Sequence, residues 1–270
     1  MRRLGVVGLT GVDLVDGGPP RVGGAPYYAA RALRLLGHSA LIATKFAERD
    51  RALVAPLLAL GVPVIAGTAS AMPRFRIDYA GGARRMRVEA LGDPWTDAEA
   101  RGWLARALAG VDWLHLGAVN RADFPAATIA ALAPGRVVSL DAQGLVRAPL
   151  TGELALDAEF DPDVLRHLSV LKLGEEEAEV LAVGPDERSF RSLGVPEAVL
   201  TLGHRGAIVY ADGLAEHVPT RPLDRVDPTG AGDAFIAAYL SYRRRRHNPV
   251  SAARCANDVV HAVLSRWPGR

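Results

Sequence analysis

One short stretch of the sequence combines residue types that could bind an anion and accept a proton beside it. It reads Asp-Pro-Thr-Gly-Ala-Gly-Asp over residues 227–233 and leads directly into an apolar helical segment, 234–240. Gly230 and Gly232 would let a ligand approach the main chain closely, and the N–H groups that begin a helix attract anions. A carboxylate there repels an anion, so Asp233 makes chemical sense as a base for an attacking hydroxyl. The alternative is a tight loop with Asp233 as an ordinary helix cap.

The composition is that of a globular α/β protein. The chain has 270 residues, 49% of them hydrophobic and 23% charged, with a net charge of +2 and the single cysteine Cys255. These values exclude an internal disulfide and a multi-cysteine metal site, and they give little support to nucleic-acid binding. The segment 1–10 predicts a first strand rather than a signal peptide. No apolar segment reaches the roughly 18–20 residues that span a bilayer, so we expect a cytoplasmic protein.

Hydrophobic periodicity predicts alternating strands and helices, as in a three-layer α/β/α sandwich. Thr96, with Glu99 three residues later, predicts a capping box at the start of one helix. The predicted strands are 4–9, 40–44, 62–65, 111–116, 137–141, 170–173, 198–203 and 207–210. The predicted helices are 26–36, 51–60, 96–108, 125–133, one that begins near 174, one that follows 233, and 250–265.

Two predicted strands end in polar residues. Asp13 follows the first strand, and the segment 141–147, Asp-Ala-Gln-Gly-Leu-Val-Arg, follows the strand 137–141. In open α/β sheets, ligands bind beyond the carboxyl ends of the strands. We therefore expect Asp13, Gln143 and Arg147 to face a common crevice, although a solvated turn would also explain Asp13.

The alternation of predicted strands and helices is interrupted at residues 75–89. There, segments in which apolar and polar residues alternate flank a Gly-Gly pair, which predicts a β-hairpin. Because this hairpin interrupts the α/β pattern, we expect it to project from the main sheet as a small β lid. The lid comprises segments 14–24 and 74–90 of a single domain over 1–270. The arginines of this lid make it basic, but an ordinary solvent-exposed surface would explain them equally well.

Residues 227–233 closely resemble the second signature of the ribokinase-like (PfkB) carbohydrate and nucleoside kinases, with Pro228 where threonine is common. Residues 23–37, which begin Gly-Gly-Ala-Pro-Tyr-Tyr, resemble the first signature, with Tyr28 where the family usually has asparagine. The segment 174–177 resembles the family's Asn-x-x-Glu, with Gly174 in place of the asparagine, and 201–206 resembles Thr-x-Gly-x-x-Gly. The resemblance covers nearly the whole chain.

This resemblance implies ATP-dependent phosphorylation of a small polyhydroxy acceptor. It implies that Asp233 is the general base and that the main chain of Gly230, Ala231 and Gly232 stabilises the transferred group. The implied acceptor-binding residues are Asp13, Gly23, Gly24, Tyr28, Gln143 and Arg147. The implied nucleotide-binding residues are Thr201, Gly203, Gly206 and Asn257. Glu177 is implied to order water around Mg²⁺, and Asp227 with Thr229 to contribute to a K⁺ site.

The segment 141–147 resembles that of plant inositol kinases, which favours myo-inositol as the acceptor. Tyr28 offers an aromatic face on which a cyclic substrate could stack. A nucleoside, another sugar, or a non-catalytic sugar-binding role remain the alternatives, and a nucleic-acid-binding role lacks a recognition module. The resemblance also implies a homodimer through the lid, and no nucleic-acid or membrane partner.

Overall fold

The computed structural model describes residues 3–79, 85–223 and 227–266, and its strands form two separate sheets. The strands are β1 (Arg3–Gly8), β2 (Gly11–Val15), β3 (Arg21–Gly23), β4 (Ala40–Phe46), β5 (Val64–Thr68), β6 (Arg74–Asp78), β7 (Arg85–Ala90), β8 (Val111–Gly117), β9 (Val137–Asp141), β10 (Gly152–Glu153), β11 (Val170–Leu173), β12 (Glu197–Thr201), β13 (Ala207–Ala211) and β14 (Leu214–Val218).

Ten α-helices connect these strands within the described residues. They are α1 (Ala25–Leu36), α2 (Arg51–Leu58), α3 (Asp97–Arg101), α4 (Trp103–Ala107), α5 (Ala126–Leu132), α6 (Gln143–Val146), α7 (Glu175–Val180), α8 (Glu187–Ser192), α9 (Ala231–Arg244) and α10 (Pro249–Ser265). Short 3-10 helices lie at Glu48–Asp50, Pro162–His167 and Gly203–Arg205.

The larger sheet has the strand order β14-β13-β12-β11-β9-β8-β1-β4-β5. From β12 to β5 every pairing is parallel, while β13 and β14 add an antiparallel hairpin at one edge. The chain leaves β1 towards β4 on one side and later returns to β8 on the other side. This reversal of strand order opens a crevice at the carboxyl ends of the strands, where open α/β sheets bind ligands.

Alternate residues of the central strands enter two different apolar cores. Leu4 and Val6 of β1 pack in the core on the side of α1, α9 and α10, whereas Val7 packs in the core that contains residues of α4, α5 and α8. Strands buried on both faces explain the near-continuous apolar runs in the sequence. The predicted three-layer α/β/α sandwich is therefore confirmed.

The smaller sheet is the predicted lid, and it is larger than the sequence indicated. Its strand order is β10-β7-β6-β2-β3, with β6 and β7 forming the predicted hairpin. The first lid segment begins at Gly11 rather than at residue 14, because β2 pairs in parallel with β6 from Val12 onwards. The strand β10 was not predicted. The predicted Gly-Gly turn, at 81–82, lies outside the described residues.

Other boundaries also differ from the prediction. The capping box between Thr96 and Glu99 is present, but the predicted helix 96–108 is broken at Gly102. Gly102 adopts non-helical backbone angles (φ −94°, ψ −114°), and the ring of Trp103 packs against Gly67 of β5. The helix α8 and the strand β14 were not predicted.

Candidate active site

The glycine-rich segment 227–233 forms a turn that leads into α9, and it is called the anion loop below. Gly230 is the N-terminal cap of α9 and has a left-handed backbone conformation with φ +78°. A side chain at this position would overlap the ring of Tyr28. The carboxylate of Asp227 accepts the N–H of Thr229 at 2.9 Å, which fixes the turn. The loop therefore needs glycine at position 230 for two independent reasons.

Asp233 lies in the first turn of α9 and lines a cavity of about 360 Å³. It is partly accessible from the cavity, but protein groups surround it closely enough that burial raises the pKa of its carboxyl from 3.8 to about 7. The carboxylate of Asp141 raises this pKa further, while Lys172 and Arg147 lower it. A carboxyl with a pKa near neutrality is well suited to proton transfer.

The acceptor-binding residues predicted from the sequence lie mainly on one side of this cavity. Tyr28 donates its hydroxyl hydrogen to Oδ2 of Asp13 at 2.7 Å, and burial followed by Asp13 raises the pKa of Tyr28 well above its usual value. The members of the set that line the cavity are Asp13, Gly24, Tyr28, Gln143 and Arg147. Gly23 does not line it, but a side chain there would collide with the carboxylate of Asp13.

Tyr28 does not stand free in the cavity as a stacking platform. Only 4% of the residue is exposed, and its ring packs against Gly230 and, edge to face, against Tyr27 at 5.3 Å between centroids. The expected role as a stacking surface is therefore poorly matched by this geometry. Instead, Tyr28 orients Asp13 and supports the anion loop.

Among the described residues, the lid contacts the anion loop through two pairs of polar side chains. Arg21 of β3 donates from Nη2 to Oδ2 of Asp227 at 2.6 Å. The hydroxyl of Tyr79 lies 2.9 Å from Oγ1 of Thr229. The lid also contributes an apolar wall to the cavity, formed by Phe75, Ile77 and Met86.

The same cavity is also lined by residues from the start of α7 and the end of β12. Oε2 of Glu177 accepts the N–H of Gly174 at 2.6 Å, and its Oε1 lies 4.0 Å from Nη2 of Arg147. A side chain at position 174 would displace Oε2 of Glu177 from this position. Thr201 and Gly203 also line the cavity. Gly206 and Asn257 do not.

Asn257 lies in a separate surface cavity with Pro219 and Arg221. Its side-chain nitrogen donates to the carbonyls of Val218 at 3.3 Å and Pro219 at 3.2 Å. Gly206 has φ +96°, and a side chain there would collide with the carbonyl of Val218. Both residues thus stabilise the chain after β14 in this structure. The expected contact of Asn257 with a nucleotide base stays a prediction.

Sequence reasoning missed Lys172 on β11. Its Nζ lies 3.0 Å from Oδ2 of Asp141, and the two side chains are 5% and 2% exposed. The register of β11 on β9 places these residues side by side. A signal was present, since a lysine interrupts the otherwise apolar strand Val-Leu-Lys-Leu. In the described part of the chain, no group of three or more His, Cys, Asp or Glu residues could by itself hold a metal ion.

Comparison with known proteins identifies the family. The model for "pfkB family carbohydrate kinase" matches residues 121–266, which is more than half of the chain. The chain belongs to this pfkB family. The matched part contains the anion loop and Asp233, while the first signature, 23–37, precedes it. The expected family is therefore confirmed.

Curated relatives of this pfkB chain are kinases. The inositol 3-kinase of Zea mays is 36% identical over 135 residues, covering 48% of this chain and 34% of the relative. The ribokinase of Mus musculus is 32% identical over 99 residues, covering 32% of this chain and 31% of the relative. The chain thus spans about a third of the length of the curated relatives it matches.

Solved structures extend the similarity to the whole chain. A pyrophosphate-dependent kinase of the ribokinase family, complexed with a pyrophosphate analog and myo-inositol, is 25% identical with a TM-score of 0.83, covering 99% of this chain and 97% of that chain. A putative ribokinase II from E. coli, complexed with ATP and Mg²⁺, is 20% identical with a TM-score of 0.70, covering 99% and 94%. The latter similarity shows the fold alone.

The longest apolar helices are α9 and α10, and both pack against the main sheet. Among residues 3–79, 85–223 and 227–266, no helix is long and apolar enough to cross a membrane.

Proposed function

We propose that this pfkB-family chain transfers a phosphoryl group to a hydroxyl of a small cyclic polyol, with Asp233 as the general base. The observation that carries the proposal is the position of Asp233: a carboxyl with a pKa of about 7, in the wall of a cavity, directly after a glycine loop that begins a helix. A base of this kind is useful only beside a group that must lose a proton.

The reaction follows from these groups. The acceptor hydroxyl gives its proton to Asp233, and its oxygen forms a bond to the terminal phosphorus of the donor. The bond between that phosphorus and the bridging oxygen breaks, and the electron pair leaves with the rest of the donor. The main-chain N–H groups of Gly230, Gly232 and Asp233 would stabilise the charge on the transferred group. The N–H of Ala231, also expected to take part, instead donates to the carbonyl of Pro228 at 3.0 Å. Positioning and charge stabilisation provide most of the catalysis in such transfers.

For the acceptor, we propose myo-inositol or a closely related polyol. The support is the similarity to inositol 3-kinases and to a kinase that was solved with myo-inositol. Asp13, Gln143 and Arg147 offer polar contacts at the cavity wall, while the lid offers Phe75 and Ile77 on an apolar side. A site of this kind would favour a ring with hydroxyls around its rim. A nucleoside or another sugar is the alternative acceptor.

For the donor, we propose ATP with Mg²⁺, bound at the end of the cavity that contains Glu177, Thr201 and Gly203. Mg²⁺ takes one or two carboxylates together with phosphate oxygens and water, and Glu177 offers a carboxylate that the N–H of Gly174 holds in place. The metal would neutralise phosphate charge during the transfer. We also propose that any K⁺ bound near Asp227 and Thr229 would compete with the guanidinium of Arg21, which already contacts Asp227.

Pyrophosphate is a second candidate donor. A pyrophosphate-dependent kinase is similar to this chain over almost its full length. Asn257 and Gly206, the residues expected near a nucleotide base, lie outside the cavity that contains Asp233. Two buried cations, Arg147 and Lys172, line that cavity and would suit a compact, highly charged donor.

The test is phosphoryl transfer from ATP or pyrophosphate, each with Mg²⁺, to a panel of acceptors: myo-inositol, ribose, fructose, fructose 6-phosphate and adenosine. Products are followed by phosphorus NMR, and kcat/KM is compared for every pair. We expect the highest kcat/KM with myo-inositol. A faster nucleoside or phosphosugar would overturn the proposed acceptor but not the kinase. If the folded protein binds a polyol yet transfers phosphate from neither donor, it is a non-catalytic binding protein.

A further inference from the structure

The chain contains only two lysines among its 32 Lys and Arg residues, and both are buried. Lys45 has an evident structural role: its Nζ donates to Glu99 at 3.0 Å and to the carbonyl of Pro94 at 2.9 Å, and it lies 4.7 Å from the centre of the Trp95 ring. Lys172 has no comparable structural role. It faces the cavity of the candidate active site.

Lys172 lies directly beneath the anion loop. A methyl carbon built on Gly232 would be 2.9 Å from Nζ and 3.3 Å from Cε of Lys172. The backbone conformation of Gly232 is not left-handed, and the atoms that a side chain there would meet are the flexible end of Lys172. The ammonium group thus lies close to the residue that immediately precedes Asp233.

Six carboxylates and two cations lie in or beside this cavity. Its charged lining residues are Asp13, Asp233, three glutamates of α7 (Glu175, Glu176 and Glu177), Arg147 and Lys172, and Asp141 lies outside the lining, beside Lys172. The phenol of Tyr28 adds no charge, because its pKa is raised well above its usual value. His115 on β8 is neutral, because burial followed by Lys172 lowers its pKa to about 3. The site is therefore short of positive charge before any phosphate enters.

Lys172 keeps its charge in this setting. Burial lowers its pKa, but the carboxylates of Asp141, Glu177 and Asp233 together outweigh burial and leave the pKa above 10.5. Buried ion pairs can often be replaced by apolar residues with little loss of stability. A buried pair beside a proposed base therefore calls for a role beyond packing.

We propose that Lys172 is a positioning residue whose ammonium group keeps the carboxylate of Asp233 ionised and places fixed positive charge under the anion loop. The effect of Lys172 on the ionisation of Asp233 does not depend on the proposed function. Only the expected change in kinetics rests on it. Asp141 holds Lys172 in place through the 3.0 Å contact and opposes its effect on Asp233.

The first experiment compares the pH dependence of kcat/KM for wild type, Lys172→Met and Asp141→Asn. Asp233 must be ionised to accept a proton, so activity rises with pH through its pKa. Removing the cation should move this rise upward by about 1 pH unit, the scale expected for a nearby charge. The smaller ionised fraction should lower activity at pH 7 roughly fivefold, and this loss should be almost fully recovered by pH 9. Removing the carboxylate of Asp141 should move the rise downward.

The second experiment does not require turnover. The carboxyl carbon of Asp233 is titrated by NMR in ¹³C-labelled wild type and Lys172→Met, with its resonance assigned from Asp233→Asn. We expect the same upward shift of about 1 pH unit in the absence of substrates. This result would support the inference even if no acceptor were phosphorylated. An unchanged titration would overturn it even if the kinase activity were established.

Lys45→Met is the matched control, since it also removes a buried ammonium group but lies outside the cavity. It should lower the melting temperature without moving the pH profile or the titration of Asp233. Equal shifts in Lys45→Met and Lys172→Met would mean that loosened packing, not local charge, causes the change, and the proposal would be wrong. If Lys172→Met does not fold, Lys172→Gln, which keeps a polar end beside Asp141 but carries no charge, decides, and an unchanged titration of Asp233 in that variant contradicts the proposal.

Discussion

At the residue scale, a few individual side chains, together with the glycines that lack one, determine the geometry around Asp233. Gly230 is required by its φ of +78° and by the ring of Tyr28, whereas a side chain at Gly232 would meet only the flexible end of Lys172. The two glycines of one motif therefore serve different purposes. Substituting each glycine separately should distinguish these two roles.

We expect Gly230→Ala to lower the free energy of unfolding by about 1–3 kcal/mol, since it combines a left-handed conformation with overlap in the core. Gly232→Ala should cost less, because the end of the Lys172 side chain can shift slightly. Urea unfolding measures both. Equal losses in the two variants would show that the ring of Tyr28 does not support the loop as described.

The raised pKa of Asp233 also predicts pH-dependent stability. Its pKa is about 7 in the folded protein and near the ordinary value of 3.8 in the unfolded chain, so folding favours the protonated carboxyl. The stability that this carboxyl contributes at low pH is lost as the pH rises through about 7. Asp233→Asn removes the penalty of ionisation. Relative to wild type, the variant should gain about 1–3 kcal/mol of unfolding free energy between pH 4.5 and pH 8.5.

Urea unfolding at these two pH values tests this expectation. The range stays below the full value of the pKa shift, because cavity water reaches Asp233 and partly screens it. A constant difference between Asp233→Asn and wild type at pH 4.5 and pH 8.5 would contradict the raised pKa.

At the scale of elements, the site is assembled where several strands end and the lid meets the anion loop. Arg21 on β3 and Asp227 in the loop are 206 positions apart, yet they form an ion pair at 2.6 Å in which Asp227 is largely buried. This contact couples the position of the lid to that of the loop. This ion pair could not be recognised in the sequence, because each of its two residues, taken alone, is an ordinary polar residue.

We expect Arg21→Met to reduce kcat/KM roughly tenfold, the scale of losing one charge-assisted hydrogen bond, by loosening the lid over the site. Hydrogen exchange should become faster in β2 and β3 but not in the main sheet. Arg87→Met is the control, because the exposed pair of Arg87 with Glu153 at 3.5 Å lies within the lid sheet and should contribute little. If Arg21→Met left both exchange and kcat/KM unchanged, the coupling would be absent.

Most elements and the anion loop could be predicted from the sequence, because both depend on local patterns. Apolar periodicity located the central strands, and the spacing of glycines with Asp233 located the site. Contacts that depend on strand register could not be predicted from local patterns. Lys172, for example, contacts Asp141 only because β11 lies beside β9. The parallel pairing of β2 with β6, the break at Gly102 and the edge strand β14 depend on tertiary packing in the same way.

At the scale of the whole molecule, the two apolar cores hold a nine-stranded sheet whose carboxyl edge presents residues from both halves of the chain. Asp13 comes from β2 and Tyr28 from the first signature, 23–37, whereas Asp141, Lys172 and Asp233 come from the part that the family model matches. The fold and family are shown by the comparisons. Acceptor, donor and the roles of individual residues are the proposals that this arrangement supports.

The measurement that tests the central claim most directly is phosphoryl transfer by Asp233→Asn, set beside its affinity for the donor. Asparagine keeps the shape of the side chain but cannot accept the proton. We predict that kcat falls roughly 10²–10⁴-fold, the usual range for a lost general base, while the donor dissociation constant changes by less than about threefold. Turnover at the wild-type rate in the folded variant would contradict the account.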